Sequence, residues 1–359
     1  LPKNSNSSPL SFGRAPLRRA SSAAGRRAKT PLASEMRGIS DFFRASTASN
    51  MASSLQYRKR GKVSAKIISG REIAAQVHSE IRERVDALKS QGITPHLVMI
   101  RVGEDPASVS YMKQKEKSAE EVGISSETVV FPEETQEEKL LAKIYELNRD
   151  PNVHGIIVQL PLPLHIDPRK VVEAIDPLKD VDCFHPLNVG KLLLGEPYLL
   201  PCTPHGVWQL LLRSGYSPEG KHVVICGRSN INGKPLFAIL IQKKAGANAT
   251  VTVCHTGTRN LPELTRQADI LIAAMGKPCA ITEDMVREGA VVIDVGVNRV
   301  PDPTKKAGFR LVGDTDFEAL VPKVEAITPV PGGVGPMTVA MLLWNTVVAA
   351  ETQKALGRC

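Results

Sequence analysis

Aromatic residues are scarce in this 359-residue chain, at 4%. That argues against a nucleic-acid reader built on base-stacking platforms. The six cysteines, at positions 183, 202, 226, 254, 279 and 359, form no CxxC pair and no metal-like cluster. Cys202, Cys226, Cys254 and Cys279 lie within or beside apolar runs, the pattern of buried free thiols in a reducing compartment. The eight histidines include no HExxH spacing, so no protein-bound metal is expected. No uninterrupted run of about 18 apolar residues occurs, so no membrane span is expected. No internal repeat stands out.

The formal charge of +9 first suggests a polyanionic partner. Its distribution removes that reading. Residues 1 to 66 hold 14 Lys or Arg against only Glu35 and Asp41, a net of +12, so the whole-chain +9 leaves the other 293 residues at −3. A basic body that binds nucleic acid is therefore excluded. The stretch SFGRAPLRRASSAAGRRAKT is rich in Arg, Ser and Ala and poor in acid, as an organellar transit peptide is. A start set too far upstream, with Met36 and Met51 as internal starts, would give the same composition. Residues 1–62 are expected to be a disordered extension outside the fold. The expected location is the cytoplasm, or a mitochondrion or plastid if the extension is a transit peptide.

What is present is an alternation of strands and helices. KVSAKII (62 to 68) reads as a strand, and a helix follows to Gly92. Strands at 96–102, 127–131 and 154–160 alternate with helices running through Val122 and over 135–148. Their apolar runs are continuous, as in strands buried on both faces of a parallel sheet. A second series starts near 220: KHVVICG, a helix over 233–246, ATVTVCH, a helix over 261–268, DILIAAMG, a helix over 282–288, and AVVIDVG. This is a doubly wound nucleotide-binding pattern. The fold class is α/β, with two α/β domains around a cleft and the second of Rossmann type. Expected boundaries are 63–203 for a catalytic domain, 204–330 for the nucleotide domain, and 331–353 for a loop and C-terminal helix.

Four stretches could carry chemistry. In SYMKQKEKSAEEVGI, Tyr111, Lys115, Ala119 and Val122 share one helical face. Lys115 is either a snorkelling stem or a buried lysine whose lowered pKa makes it a base. In HGIIVQLPLP, Gln159 ends a buried strand at the carboxyl edge of its sheet, where α/β proteins bind ligands; it could equally cap a loop. In KDVDCFHP, Asp180 and Asp182 alternate around Val181, and one carboxylate binding a ligand is favoured over both acting together. In VVICGRSNINGKP, a strand meets Gly227 and Gly233 before a helix, a phosphate cradle with Ser229 where a second glycine would stand. The next strand ends without an acid and offers His255, Thr256, Thr258 and Arg259, which favours NADP over NAD. Finally, ITPVPGGVGPMTVAML opens a helix at Pro336. Its Pro331, Gly332 and Gly333 suit either a surface turn or a close approach of ligand to backbone.

In this order, with KDVDCFHPLNVGKL, PCTPHGV and VIDVGVNR between them, the motifs resemble the bifunctional methylenetetrahydrofolate dehydrogenase/cyclohydrolase family over residues 64 to 350. The resemblance implies oxidation of methylenetetrahydrofolate with NADP, then hydrolysis of the methenyl product to 10-formyltetrahydrofolate, without a metal. It implies Lys115 as the catalytic lysine, Tyr111 stacked on the folate aminobenzoyl ring, Gln159 bonded to Lys115, and Asp182 holding the pterin. Gly227, Arg228 and Ser229 would line the NADP phosphates, with Thr256 near the 2′-phosphate and Val297 near the nicotinamide. Pro331, Gly332 and Gly333 would form the cleft mouth, and the last helix would return to the first domain. A homodimer through the nucleotide domain is also implied. Cys183 stands where the family usually has glycine, with room to crowd the pterin or shift Asp182. Asn232 stands where an apolar residue is common. Another two-domain NADP dehydrogenase would need neither the YxxxK helix nor the proline-glycine loop, and a regulatory module without chemistry would not need Lys115.

Overall fold

A computed structural model of the protein describes residues 64–305 and 308–359. The expectations for residues 1–62 lie outside the described residues. The chain begins with β1 (Lys66–Ile67), α1 (Gly70–Lys89), β2 (His96–Val102), α2 (Pro106–Glu121) and β3 (Ser125–Phe131). Next come α3 (Glu137–Arg149), β4 (Gly155–Val158), α4 (Pro168–Ala174) and α5 (Pro186–Leu193). The second half holds α6 (Cys202–Arg213), β5 (His222–Cys226), α7 (Gly233–Leu240), β6 (Thr250–Cys254), α8 (Leu261–Thr265) and β7 (Ile270–Ala273). It closes with β8 (Val291–Asp294), the hairpin strands β9 (Asn298–Pro301) and β10 (Phe309–Val312), α9 (Phe317–Leu320), β11 (Ala326–Ile327) and α10 (Val334–Ala355).

Two parallel sheets result. One has the order β3-β2-β4, the other β1-β11-β8-β7-β5-β6. In each sheet the chain leaves one strand for a neighbour on one side and returns to its other side. β2 is flanked by β3 and β4, and β5 by β6 and β7. Such reversals open a crevice beyond the carboxyl ends of the strands. The buried patterns agree with the sequence: β4 is GIIV and β7 is ILIA, buried throughout.

The helices form where capping and periodicity agree. The Ser69 side chain accepts from the Glu72 N–H at the start of α1, and Ile73, Val77, Ile81, Val85 and Leu88 bury one stripe. Asp105 caps α2 by accepting from the Ser108 N–H at 2.8 Å, with Pro106 in the first turn. α10 packs against α1 and α6, and one core cluster includes Val77 and Ile81 of α1, Val207 and Leu211 of α6, and Leu343 and Val347 of α10. By length and composition α10 could cross a membrane, although the sequence showed no uninterrupted apolar run. In the fold, 72% of its most apolar window is buried inside the protein, as in a core helix.

The structure changes several sequence expectations. The first strand does not join the first sheet: Lys66 and Ile67 pair with Ala326 and Ile327 of β11, because partner choice depends on distant chain that local pattern does not report. The helix expected over 233–246 stops at Leu240. There the chain turns through Gly246 and Asn248, both at positive φ, and the Trp208 indole N–H donates to the Gly246 carbonyl. The helix expected over 261–268 ends at Thr265. The one expected over 282–288 is a single 3-10 turn, Glu283–Met285, because Val286 adopts an extended backbone to enter the core.

Candidate active site

α2 carries Tyr111 and Lys115 on its inner face. Lys115 is buried, with 5% of its surface exposed. Its Nζ donates to Gln159 Oε1 at 3.1 Å and lies 4.7 Å from the centre of the Tyr111 ring. Gln159 follows β4 and is anchored at both ends. Its backbone N–H donates to the Ile100 carbonyl of β2 at 2.8 Å, and its Nε2 donates to the Leu160 carbonyl at 2.7 Å. That commitment turns Oε1 towards the lysine. Lys115 is therefore no snorkelling stem, and Gln159 is no loop cap alone.

Asp182 reaches the same place from another direction. The Ile156 N–H donates to the Lys179 carbonyl, and Asp180 forms a parallel bridge with Ile156, so this segment runs beside β4 towards its carboxyl end. Asp180 is spent on the turn. Its carboxylate accepts from the backbone N–H groups of Phe184 (3.2 Å) and His185 (2.8 Å) and from Asn188 Nδ2 (2.9 Å). Among the described residues Asp182 accepts from no backbone N–H or amide; it accepts from the Cys202 thiol, with Sγ 3.8 Å from Oδ1. Burial pulls the Lys115 pKa down, and the nearby Asp182 and Cys202 oppose that pull. Burial raises the Asp182 pKa, and Lys115 opposes it. Burial also raises the Tyr111 phenol, which stays neutral and presents an aromatic face. The arrangement is a desolvated amine with one N–H committed to an amide, beside an aromatic ring and a carboxylate. Burial favours its neutral form, which can accept a proton.

Cys183 does not crowd this space. It sits at φ 61, a left-handed conformation suited to glycine, and its fully buried Sγ turns inward to donate to the Leu199 carbonyl at 3.2 Å.

The second crevice lies beyond β5 and β7. Gly227 has φ 145, and a Cβ there would stand 2.2 Å from the Ala274 carbonyl oxygen after β7. A Cβ on Gly233 would stand 2.0 Å from the Gly227 carbonyl oxygen. Both glycines are thus required by close backbone crossings. Between them Arg228, Ser229 and Asn230 are exposed. Asn232 stands at the start of α7 without capping it by its side chain. After β6, the His255 ring accepts from Gly257 N–H at 3.0 Å and Thr258 Oγ1 accepts from His255 N–H at 2.8 Å, leaving Thr256 and Arg259 exposed. An exposed arginine in each loop, beside uncapped amides, fits a phosphorylated dinucleotide.

Two buried carboxylates that the sequence analysis did not single out brace this crevice. Asp294 accepts from the N–H groups of Gly296, Asp314 and Thr315 and from the Thr315 hydroxyl. Asp314 accepts from the N–H groups of Met275, Gly276 and Lys277 and from Asn298 Nδ2. They fix the loops that follow β7 and β8, so exposed Val297 is held in place. The only sequence signal was an aspartate closing the apolar run VVID.

The proline-glycine loop joins the two halves. Pro331 is exposed, Gly332 half-buried at φ 109, and Gly333 buried. Gly333 has a packing reason as well: its Cβ would stand 2.6 Å from the Pro329 carbonyl oxygen and 2.8 Å from Thr328 Cβ. Its own carbonyl oxygen would stand 1.7 Å from a Cβ on Gly70, at the start of α1. Among the described residues no cluster of three His, Cys, Asp or Glu could hold a metal. Two surface cavities, of ≈ 490 and ≈ 590 Å³, are lined by residues other than Lys115 and Asp182.

Two family models match the chain. The tetrahydrofolate dehydrogenase/cyclohydrolase catalytic domain matches residues 68–182, and the NAD(P)-binding domain of the same family matches 201–354. The chain is 58% identical over 296 residues to the bifunctional protein FolD of Dehalococcoides mccartyi strain CBDB1, covering 82% of this chain and 99% of that one. It is 54% identical over 287 residues to FolD of Moorella thermoacetica, covering 80% and 99%. Among solved structures, FolD of Campylobacter jejuni matches with a TM-score of 0.76 and 47% identity, covering 80% of this chain and 99% of that one. The Trypanosoma brucei enzyme, complexed with NADP cofactor and inhibitor, matches with a TM-score of 0.77 and 39% identity, covering 81% and 99%.

Proposed function

The chain belongs to the tetrahydrofolate dehydrogenase/cyclohydrolase family, and from that premise we propose that both of its activities turn on one buried amine, Lys115. The enzyme oxidises 5,10-methylenetetrahydrofolate to the 5,10-methenyl form with NADP and hydrolyses that product to 10-formyltetrahydrofolate. The observation that carries the assignment is the desolvated Lys115, bonded to Gln159 and set beside Tyr111 and Asp182.

NADP, when bound, supplies the acceptor for the hydride that leaves the methylene carbon. Gly227, Arg228 and Ser229 hold its phosphates, Thr256 its 2′-phosphate, and Val297 lies towards its nicotinamide. Asp182 accepts from the pterin N–H groups and Tyr111 stacks on the aminobenzoyl ring. Pro331 and Gly332 shape the cleft mouth, with Gly333 behind them. Loss of hydride leaves a folate cation, which a protonated amine would repel; burial keeps Lys115 neutral enough to avoid this. In the hydrolysis, water forms a bond to the methenyl carbon and gives a proton to Lys115. The carbon–N5 bond then breaks as the new hydroxyl becomes the formyl C=O, its proton passes to N5, and the formyl group stays on N10. Gln159, by accepting one Lys115 N–H, leaves the lone pair free for this transfer.

We read residues 63–203 as the folate unit, apart from β1, which pairs into the second sheet, 204–330 as the nucleotide unit and 331–353 as the segment that joins them. The protein acts as a homodimer through the nucleotide unit, in which β6 is an edge strand. A reducing compartment such as the cytoplasm suits its free cysteines.

The test is a Gln159→Leu variant assayed for both steps. Hydrolysis is expected to fall by about a hundredfold, the usual scale of losing acid–base assistance, with folate KM little changed. Hydrolysis at the wild-type rate would remove Gln159, and with it the assigned state of Lys115.

A further inference from the structure

Asn345 lies midway along α10, with 2% of its surface exposed. Its position in a helix that is otherwise a core element calls for a reason, because a buried amide is costly unless bonded. Its Nδ2 donates to the Val181 carbonyl and to the Leu200 carbonyl, each at 2.8 Å, and lies 3.6 Å from Cys202 Sγ. Two of these, the Val181 carbonyl and Cys202 Sγ, bear on one carboxylate, that of Asp182. Val181 precedes Asp182, so its carbonyl fixes the plane of the peptide from which the Asp182 side chain departs. Leu200 fixes the chain entering α6, where Cys202 stands. Cys202 Sγ donates to the same Val181 carbonyl at 3.3 Å and approaches Asp182 Oδ1. The turn is held on its other side by Cys183 N–H donating to the Asp180 carbonyl at 3.0 Å.

We propose that Asn345 is a positioning residue for Asp182: by gripping the Val181 carbonyl and the entry to α6 from the C-terminal helix, it sets where the folate-holding carboxylate points. The inference rests on the reading of Asp182 given above. It also gives α10 a part in folate recognition beyond packing, since the helix that opens from the cleft loop carries the grip three turns further on. Simple stabilisation would not need the amide to converge on this turn. An apolar residue would serve the surrounding cluster of Leu342, Leu343 and Val347.

The test uses the full-length enzyme with Asn345→Leu, which keeps the branched outline without the amide, Asn345→Ala, which leaves room, and Asp182→Asn as reference. The groups bearing on Lys115 are Asp182 and Cys202, with the Tyr111 ring beside its Nζ and Gln159 bonded to it; Asn345 carries no charge. Asp182 raises the Lys115 pKa, so a displaced carboxylate lets that pKa fall. The expected result is a methylenetetrahydrofolate KM raised about tenfold or more, the scale of a misplaced binding group. NADP KM stays unchanged, and the rising limb of the hydrolysis pH profile moves to lower pH, in the direction of Asp182→Asn. If Asp182→Asn raises folate KM while folded Asn345 variants leave both KM and pH limb unchanged, the positioning role is overturned. An equal rise in both KM values, or failure of both Asn345 variants to fold, makes Asn345 a structural lock and overturns it as well. If Asp182→Asn itself leaves folate KM unchanged, the underlying reading of Asp182 falls first, and the inference with it.

Discussion

Replacing Gly70 by alanine adds one carbon where the crossing of two chain segments leaves no room. The added Cβ would stand 1.7 Å from the Gly333 carbonyl oxygen, 2.6 Å from Gly333 C and 3.0 Å from the Gly332 oxygen. All three are backbone atoms, so no side chain can swing aside. Restoring ordinary contact of 3.4 Å requires the loop to retreat by about 1.7 Å. Gly70 has no positive φ and lies in the first turn of α1, so alanine there suffers no backbone strain and gains helix propensity of up to about 1 kcal/mol. Overpacking costs about 1–3 kcal/mol. The net loss of stability is therefore modest, about 1–2 kcal/mol, and the protein stays folded. The effect on rate is larger, because misplacing a site by about 1 Å costs on the order of a hundredfold. Gly335 supplies an internal control: a Cβ there meets nothing within 4 Å. Dehydrogenase assays with NADP and methylenetetrahydrofolate, beside thermal melts, are expected to show a severe rate loss for Gly70→Ala and none for Gly335→Ala. A Gly70→Ala enzyme within about twofold of wild type would refute the claim that this loop shapes the site.

Other consequences concern charge. Burial holds His154 at about 4 and His205 at about 3, against 6.5 when unfolded. These bases bind fewer protons when folded, so the stability they leave intact above pH 6.5 is lost as pH falls towards their folded values. At pH 5 each costs about 2 kcal/mol, about 1.5 units at 1.36 kcal/mol per unit. Urea melts at pH 7 and pH 5 should differ by about 4 kcal/mol from this pair, and equal melts would show that the rings accept protons without penalty. Asp314→Asn turns one acceptor oxygen into a donor facing N–H groups. It should cost about 3 kcal/mol and raise NADP KM; an unchanged KM together with an unchanged melting temperature would dismiss the brace.

How much of this was legible beforehand varied with the physics of each element. β2, β4, β5 and β7 were plain, because a continuous apolar run has few other uses in a chain of this composition. Lys115 and Gln159 were visible as polar residues on an apolar face and at a strand end, yet only the fold brings residues 44 positions apart to 3.1 Å. The partner of β1 was not legible, since a two-residue ladder to a strand at 326 leaves no local trace. Nor was the short turn at Glu283–Met285, where a tertiary demand on Val286 overrides helix propensity. By sequence a side chain at Cys183 could crowd the pterin or shift Asp182; its positive φ, which no residue pattern announces, goes with an Sγ turned to the Leu199 carbonyl. Asn345 was not singled out in the sequence, because its meaning depends on carbonyls contributed by residues 181 and 200.

The central claim is that one neutral, buried lysine serves both steps, and Lys115→Met tests it most directly. Methionine keeps the length and apolar stem while removing the base. With methylenetetrahydrofolate and NADP, the wild-type enzyme should form reduced cofactor with little build-up of the methenyl product. The variant should bind NADP normally, lose hydrolysis and lose most of its dehydrogenase rate. Its hydrolysis of added methenyltetrahydrofolate should show no enzyme-dependent pH limb. Hydrolysis near the wild-type rate in a folded Lys115→Met enzyme, with the same pH profile, would contradict the account.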